Sequence, residues 1–202
     1  PFLHMPHEEN PSLGVRGFRL IVEHREFIAD QLTSLEAARK QTDREVWVMA
    51  PMIATVAEAA EFAELARSIG SFKVGIMIET PAISMQVDRL AGVVDFVSIG
   101  TNDLSQYLFA ADRMNPALGA LLNPWQPGLI RMLAKIGTDG SVQLGGLAHR
   151  QLDLVLAEAE LERDLADRLG DAGEQIRSVG HQPVRPVLAA VFLVGDEGEH
   201  QV

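Results

Sequence analysis

Three short apolar runs constrain this chain more than any other feature. Val46-Trp47-Val48-Met49-Ala50 is halted by Pro51, Lys73–Glu79 by Pro81, and Val93–Gly100 by Thr101-Asn102-Asp103. Each has the length and β-branched content of a buried strand rather than a helix. Between them lie segments with helical spacing. Strands alternating with helices dictate parallel β-α units. Their right-handed crossovers bring the C-terminal ends of all the strands to one rim.

The helical signals are specific. Thr55 with Glu58 three residues on has capping-box spacing, and Ala59, Phe62, Ala63, Ala66 and Ile69 continue one face up to Gly70. Upstream, Gly17–His24 and Arg25–Lys40 are two helical stretches. Downstream, Ala82–Leu90 reads as a helix, Leu104 to about Ala111 as a short one, and Pro127 as the first turn of a segment reaching Ile136. The expected sheet has three parallel strands, at about 46–50, 73–79 and 94–100, in sequential order with helices on one side. It should be an open arc, since 202 residues fall short of the roughly 250 of a complete (β/α)8 barrel.

Composition narrows the function classes. A net charge of −11 lacks the basic footprint of a nucleic-acid binder. No apolar run approaches the roughly 20 residues of a membrane span, and Pro1–Asn10 shows no secretory pattern. The chain contains no cysteine, which excludes disulfides and thiolate chemistry and makes the cytoplasm the expected compartment. Near Ile136 the chain changes character: 12 positive and 16 negative charges precede the break, 5 and 12 follow it, and of the aromatics only Phe192 lies beyond it. Residues 1–136 and 137–202 are therefore read as separate units, the second a divergent tail with less material for a core.

The strand-end rim is where chemistry is expected. Glu79 ends the second strand and Asp103 follows the third. Two carboxylates on adjacent parallel strands suit Mg²⁺, which takes one or two from protein and leaves its other positions to water and substrate phosphate. They could equally be a turn cap before Pro81 and a helix N-cap. Asn102 adds an amide at a helix start, a natural anion site. The six histidines show no metal-ligand spacing and read as solvated surface, and Met49, Met52, Met77 and Met85 read as core or pocket lining.

At these residues the chain resembles a known family. The stretch GIMIETPAISMQVDRLAGVVDFVSIGTNDLSQYLFAADR is similar to the phosphoenolpyruvate (PEP)-binding segment of the PEP-utilising enzymes. Tyr107 and the Ala111-Asp112-Arg113 ending point to the enzyme I branch of the sugar phosphotransferase system, the PEP–protein phosphotransferases. Residues 9–19 resemble its ENPxLGxRxxR pattern, and Val48–Ile53 its third barrel strand. The resemblance covers roughly residues 5–136. It implies a partial TIM (β/α)8 barrel that binds PEP with Mg²⁺ and feeds a phosphoryl group to a histidine of a separate N-terminal domain and then to the carrier HPr. By motif, Glu79 and Asp103 correspond to the metal ligands, Asn102 with Asp103 to the phosphate contact, and Arg113 to the substrate arginine. The family's barrel also dimerises, which makes a homodimer an expectation. Arg16 and Arg19 stay open between the mouth of the barrel and surface ion pairs.

The departures set further expectations. The first two barrel strands with their phosphate-binding arginines, the phosphohistidine domain and the cysteine proton donor all have no counterpart here, so no catalytic residue is assigned. Leu144–Leu147 is a faint echo of the family's Cys-Gly-Glu strand. The tail reads as mostly helical, with Leu154, Leu161, Leu165, Leu169, Ala172 and Ile176 on one face, followed by an apolar Pro183–Gly195. It looks frame-shifted or chimeric. A weakly active or inactive fragment of the phosphotransferase is the leading reading. A Mg²⁺-dependent lyase or aldolase acting on pyruvate-like enolates, and a non-catalytic remnant, are the alternatives.

Overall fold

The computed structural model describes residues 7–42, 44–143 and 190–193. Three parallel strands, β1 (Val46–Ala50), β2 (Lys73–Ile78) and β3 (Phe96–Ile99), lie side by side in sequential order. The connections are α2 (Val56–Ile69), between β1 and β2, and α3 (Pro81–Ser84) with a 3-10 turn at Val87–Leu90, between β2 and β3. The sheet is open, and in place of a closed barrel the described residues form a small α/β layer.

One addition departs from the expected all-parallel sheet. Ala190–Leu193 forms β4 and pairs antiparallel with the outer edge of β1, Val48 opposite Val191. An unpaired strand edge is a row of free backbone donors and acceptors, and any apolar extended segment can satisfy it. The rest of the tail, including Leu144–Leu147 and the stripe from Leu154 to Ile176, lies outside the described residues, as do His4, His149, His181 and His200.

Alternation along the strands separates two faces. Val46, Val48, Ala50, Val74, Ile76, Ile78, Val97 and Ile99 share one core with residues from α1 (Ile21–Arg39), α2 and α5 (Pro127–Gln143). Phe18 and Phe62 meet edge-on within it at 5.6 Å. On the other face the rings of Trp47 and Phe96 lie 4.8 Å apart, reaching across β2 at Gly75. A Cβ there would lie 2.5 Å from the Phe96 ring, so only glycine lets these aromatics meet.

The capping box forms as its spacing predicts: Glu58 N–H donates to Thr55 Oγ1, and the Glu58 carboxylate accepts from the N–H groups of Ala54 and Thr55. The two upstream helical stretches are joined, with a 3-10 turn at Gly17–Leu20 leading into α1 and a kink at His24 (φ −131°, ψ 38°) where the sequence had suggested a break. The predicted helix over Ala82–Leu90 is instead two single-turn pieces. Helix α4 (Thr101–Leu108) starts three residues earlier than expected, and Met85 is exposed rather than lining a pocket. Among the described residues no helix is long and apolar enough to cross a membrane.

Candidate functional site

The loops leaving β1, β2 and β3 share one rim and hold one another. After β1, Pro51 O accepts from Phe18 N–H at 3.0 Å and Ile53 O accepts from Thr80 Oγ1 at 2.8 Å. Met52, between them, takes a φ of 62°, a left-handed conformation that non-glycine residues seldom adopt. Gly17 (φ 58°) makes room for it, since a Cβ there would sit 2.8 Å from Met52 Cβ. This turn aims the Met52 N–H at Glu79 Oε1, 2.6 Å away.

Glu79 is 3% exposed, and its pKa is pushed up to about 7. Burial is the main cause. The Met52 hydrogen bond opposes it, the Asp103 carboxylate adds to it, and the charges of Arg16 and Arg113 pull it back weakly. All three charged groups are thus near enough to Glu79 to bias its titration. Its second oxygen lies over Gly100, where a Cβ would stand 2.8 Å from it.

Asp103 occupies the third position of α4, in its first turn; the N-cap is Gly100. Its side chain is 12% exposed and sits between two guanidinium groups: Arg16 Nη2 is 3.4 Å from Oδ2 and Arg113 Nη1 is 3.7 Å from Oδ1. Oδ1 is buried and has no hydrogen-bond partner. Oδ1 is thus held by the longer attraction of Arg113 and keeps acceptor capacity for a further donor or cation.

The structure therefore gathers Glu79, Asp103 and Arg113 on one rim. Asn102 is on the first turn of the same helix and exposed. Hard oxygen donors of this kind fit Mg²⁺. Among the described residues no group of three or more His, Cys, Asp or Glu side chains could hold a metal, so the described residues offer a cation here the pair Glu79 and Asp103.

The structure also decides between the two open arginines. Arg16 faces the rim, where Nη1 donates to Tyr107 Oη at 3.3 Å while Nη2 holds Asp103. Arg19 turns away to the carbonyls of Leu13 and Gly14. Tyr107, which the sequence offered only as a family marker, lies in the same cluster: its hydroxyl donates to the Ser12 carbonyl and lies 3.8 Å from Met52 Sδ. Burial raises its pKa. Gln106 is a second residue that spacing did not single out. It is buried and accepts the Arg113 backbone N–H at 3.1 Å, fixing the point from which that side chain departs. Its signal was its place on the inner face of α4, one residue before Tyr107.

Comparison with known proteins covers the part of the chain that holds this rim. The family model described as PEP-utilising enzyme, PEP-binding domain matches residues 1–142. A phosphoenolpyruvate-protein phosphotransferase of Streptomyces coelicolor is 42% identical over 134 residues, 66% of this chain and 24% of the relative. A multiphosphoryl transfer protein of Xanthomonas campestris is 44% identical over 137 residues, 65% of this chain and 16% of its own. A phosphoenolpyruvate-protein phosphotransferase of Bacillus subtilis is 38% identical over 148 residues, 67% and 26%. The chain thus spans about a quarter or less of the curated relatives it matches.

Proposed function

The chain belongs to the PEP-utilising enzyme, PEP-binding domain family, and we propose that it forms part of the PEP-gripping unit of a PEP–protein phosphotransferase. The observation that carries this reading is the pair Glu79 and Asp103, on loops leaving adjacent parallel strands, with Asp103 Oδ1 buried beside Arg113 and accepting no hydrogen bond. Glu79 and Asp103 are the residues that would hold Mg²⁺. When bound, that ion neutralises charge on phosphoryl oxygens and orients them.

The remaining roles fall to this chain's own groups. Arg113 is 42% exposed and reaches the rim, so its planar fork is available for bidentate contact with the carboxylate or phosphate of PEP. Asn102 adds an amide donor beside the α4 backbone N–H groups. The Met52 N–H keeps one Glu79 oxygen fixed and leaves the other for ligation. By the same proposal the phosphoryl group of PEP is destined for a protein histidine and then HPr, in a cytoplasmic setting and with two copies pairing.

The chain carries no cysteine, so no thiol within it can protonate the enolate carbon that departure of the phosphoryl group leaves behind. We expect PEP to bind in the presence of Mg²⁺ and not to turn over. Isothermal titration with PEP, with and without Mg²⁺, tests the first part; absence of Mg²⁺-dependent PEP binding ends the reading. Incubation with labelled PEP, Mg²⁺ and HPr tests the second, and robust label transfer by this chain alone contradicts it.

A further inference from the structure

Arg16 is held twice on the rim. One guanidinium nitrogen contacts Asp103 Oδ2 at 3.4 Å and the other donates to Tyr107 Oη at 3.3 Å, with the side chain 18% exposed. Tyr107 is itself fixed to the Ser12 carbonyl, and the Gly17–Leu20 turn that follows Arg16 is tied to the β1 loop through Phe18 N–H and Pro51 O. The position of this positive charge is therefore set by the fold on both sides. It is a charge placed against one of the two carboxylates of a site suited to a divalent cation. Arg113 also approaches Asp103, but on the other oxygen and from a more exposed side chain.

We infer that Arg16 is a resident counter-ion for Asp103, which the carboxylate exchanges for the divalent cation, so that cation binding frees the guanidinium for an anionic ligand. This rests on the metal-site reading above. Two consequences follow from charge alone. A like charge a few ångströms from the ion lowers its affinity in the empty site. Once displaced from Asp103, the same guanidinium is an unpaired fork beside the ion, the geometry that rewards an incoming phosphate or carboxylate. Cation and anion then bind with positive coupling, and linkage makes that coupling reciprocal. Tyr107 keeps the guanidinium at the rim while it is between partners. Arg16 is a positioning residue in this scheme.

The test is Mn²⁺ titration of the full 202-residue chain, following the free-ion electron paramagnetic resonance signal, for wild type and Arg16→Met. Loss of the charge should tighten Mn²⁺ binding on the order of tenfold, and Arg16→Lys should stay within about twofold of wild type because it keeps the charge. Adding Glu79→Gln to Arg16→Met should remove the gained affinity, which places the ion at this site. Arg16→Gln serves if the methionine variant does not fold, as judged by circular dichroism. Wild-type binding that Arg16→Met leaves unchanged or weakens overturns the counter-ion role alone, since a merely structural arginine gives that result. No Mn²⁺ binding by any variant overturns both this inference and the metal site beneath it.

Discussion

Glu36 and Glu79 are the two glutamates that the described fold takes out of water, and they titrate in opposite directions. Glu36, on α1, receives both nitrogens of an Arg39 fork at 2.7 and 2.9 Å, the Lys40 ammonium at 3.6 Å and the Ser71 N–H at 3.3 Å. Those partners, the Arg39 hydrogen bond first, hold its pKa down to about 2. Glu79 has one backbone donor and a carboxylate for a neighbour, and burial pushes it up to about 7. Glu36 sits beside the loop that enters β2, and Glu79 sits where the chain leaves it. Burial alone thus does not mark a functional carboxylate. What marks it is burial without neutralisation, the arrangement that perturbed groups at functional sites share.

Cation binding should separate the two most sharply. Glu79→Gln or Asp103→Asn should abolish measurable Mg²⁺ binding in a calorimetric titration. Glu36→Gln should leave it within about twofold while lowering the melting temperature, because it removes half of the Arg39 fork. Equal losses of Mg²⁺ affinity in the Glu36 and Glu79 variants would erase the distinction.

The pH dependence of stability should have opposite signs at the two residues. Between about pH 4.5, the ordinary carboxyl value, and about 7, the folded chain keeps a proton on Glu79 that the unfolded chain has released. Stability from this group is therefore full below that window and falls as pH rises through it. A shift of that size corresponds to at most roughly 3 kcal/mol. For Glu36 the folded pKa is depressed, so its contribution is present above about pH 4.5 and is lost as pH falls toward 2. Urea unfolding between pH 4.5 and 8 should show a decline that Glu79→Gln flattens and that Mg²⁺, which favours the ionised form, offsets. A wild-type profile that Glu79→Gln leaves unaltered would show the carboxyl to be ionised at no cost.

The same contrast explains what the sequence could reveal. The Glu36 cluster is built mostly from neighbours three and four residues away on one helix, and the Thr55–Glu58 cap from residues three apart, so their logic is periodic and local. The three parallel strands were legible for the same reason. The rim joins residues 27, 87 and 91 positions apart, through Met52–Glu79, Arg16–Asp103 and Arg16–Tyr107. No spacing rule connects those: the strand ends alone pointed to Glu79 and Asp103, and the family resemblance was needed to bring Arg113 to notice. Arg16 and Arg19 are three residues apart in one motif and differ only in which way a turn containing Gly17 at φ 58° sends them, a choice that side-chain type does not encode. The β1–β4 pairing was missed because Ala190–Leu193 lies in an apolar run, Pro183–Gly195, whose composition carries no signal of which edge it will find.

The smallest effect distinguishes the two carboxylates by their glycines. Gly70 and Gly100 each lie against one of them: a Cβ at Gly70 would stand 2.5 Å from Glu36 Oε2, and one at Gly100 would stand 2.8 Å from Glu79 Oε2. Both distances require the carboxylate to move. At Gly70 the moved oxygen is the one that accepts from Arg39 Nε and Ser71 N–H, so the displacement breaks bonds already made. Gly70→Ala should destabilise by about 1–2 kcal/mol, an ordinary overpacking cost, and leave Mg²⁺ binding intact. At Gly100 the oxygen held by Met52 is the other one, Oε1, so the folded state loses less and the free oxygen proposed as a ligand moves most. Gly100→Ala should therefore weaken Mg²⁺ binding several-fold for under about 1 kcal/mol of stability, since the oxygen it displaces is not the one that accepts from Met52 N–H. Paired thermal melts and Mg²⁺ titrations of the two variants read both quantities. If Gly100→Ala loses stability as Gly70→Ala does and keeps its Mg²⁺ affinity, Glu79 Oε2 is packing material and the two ends of β2 are alike in kind.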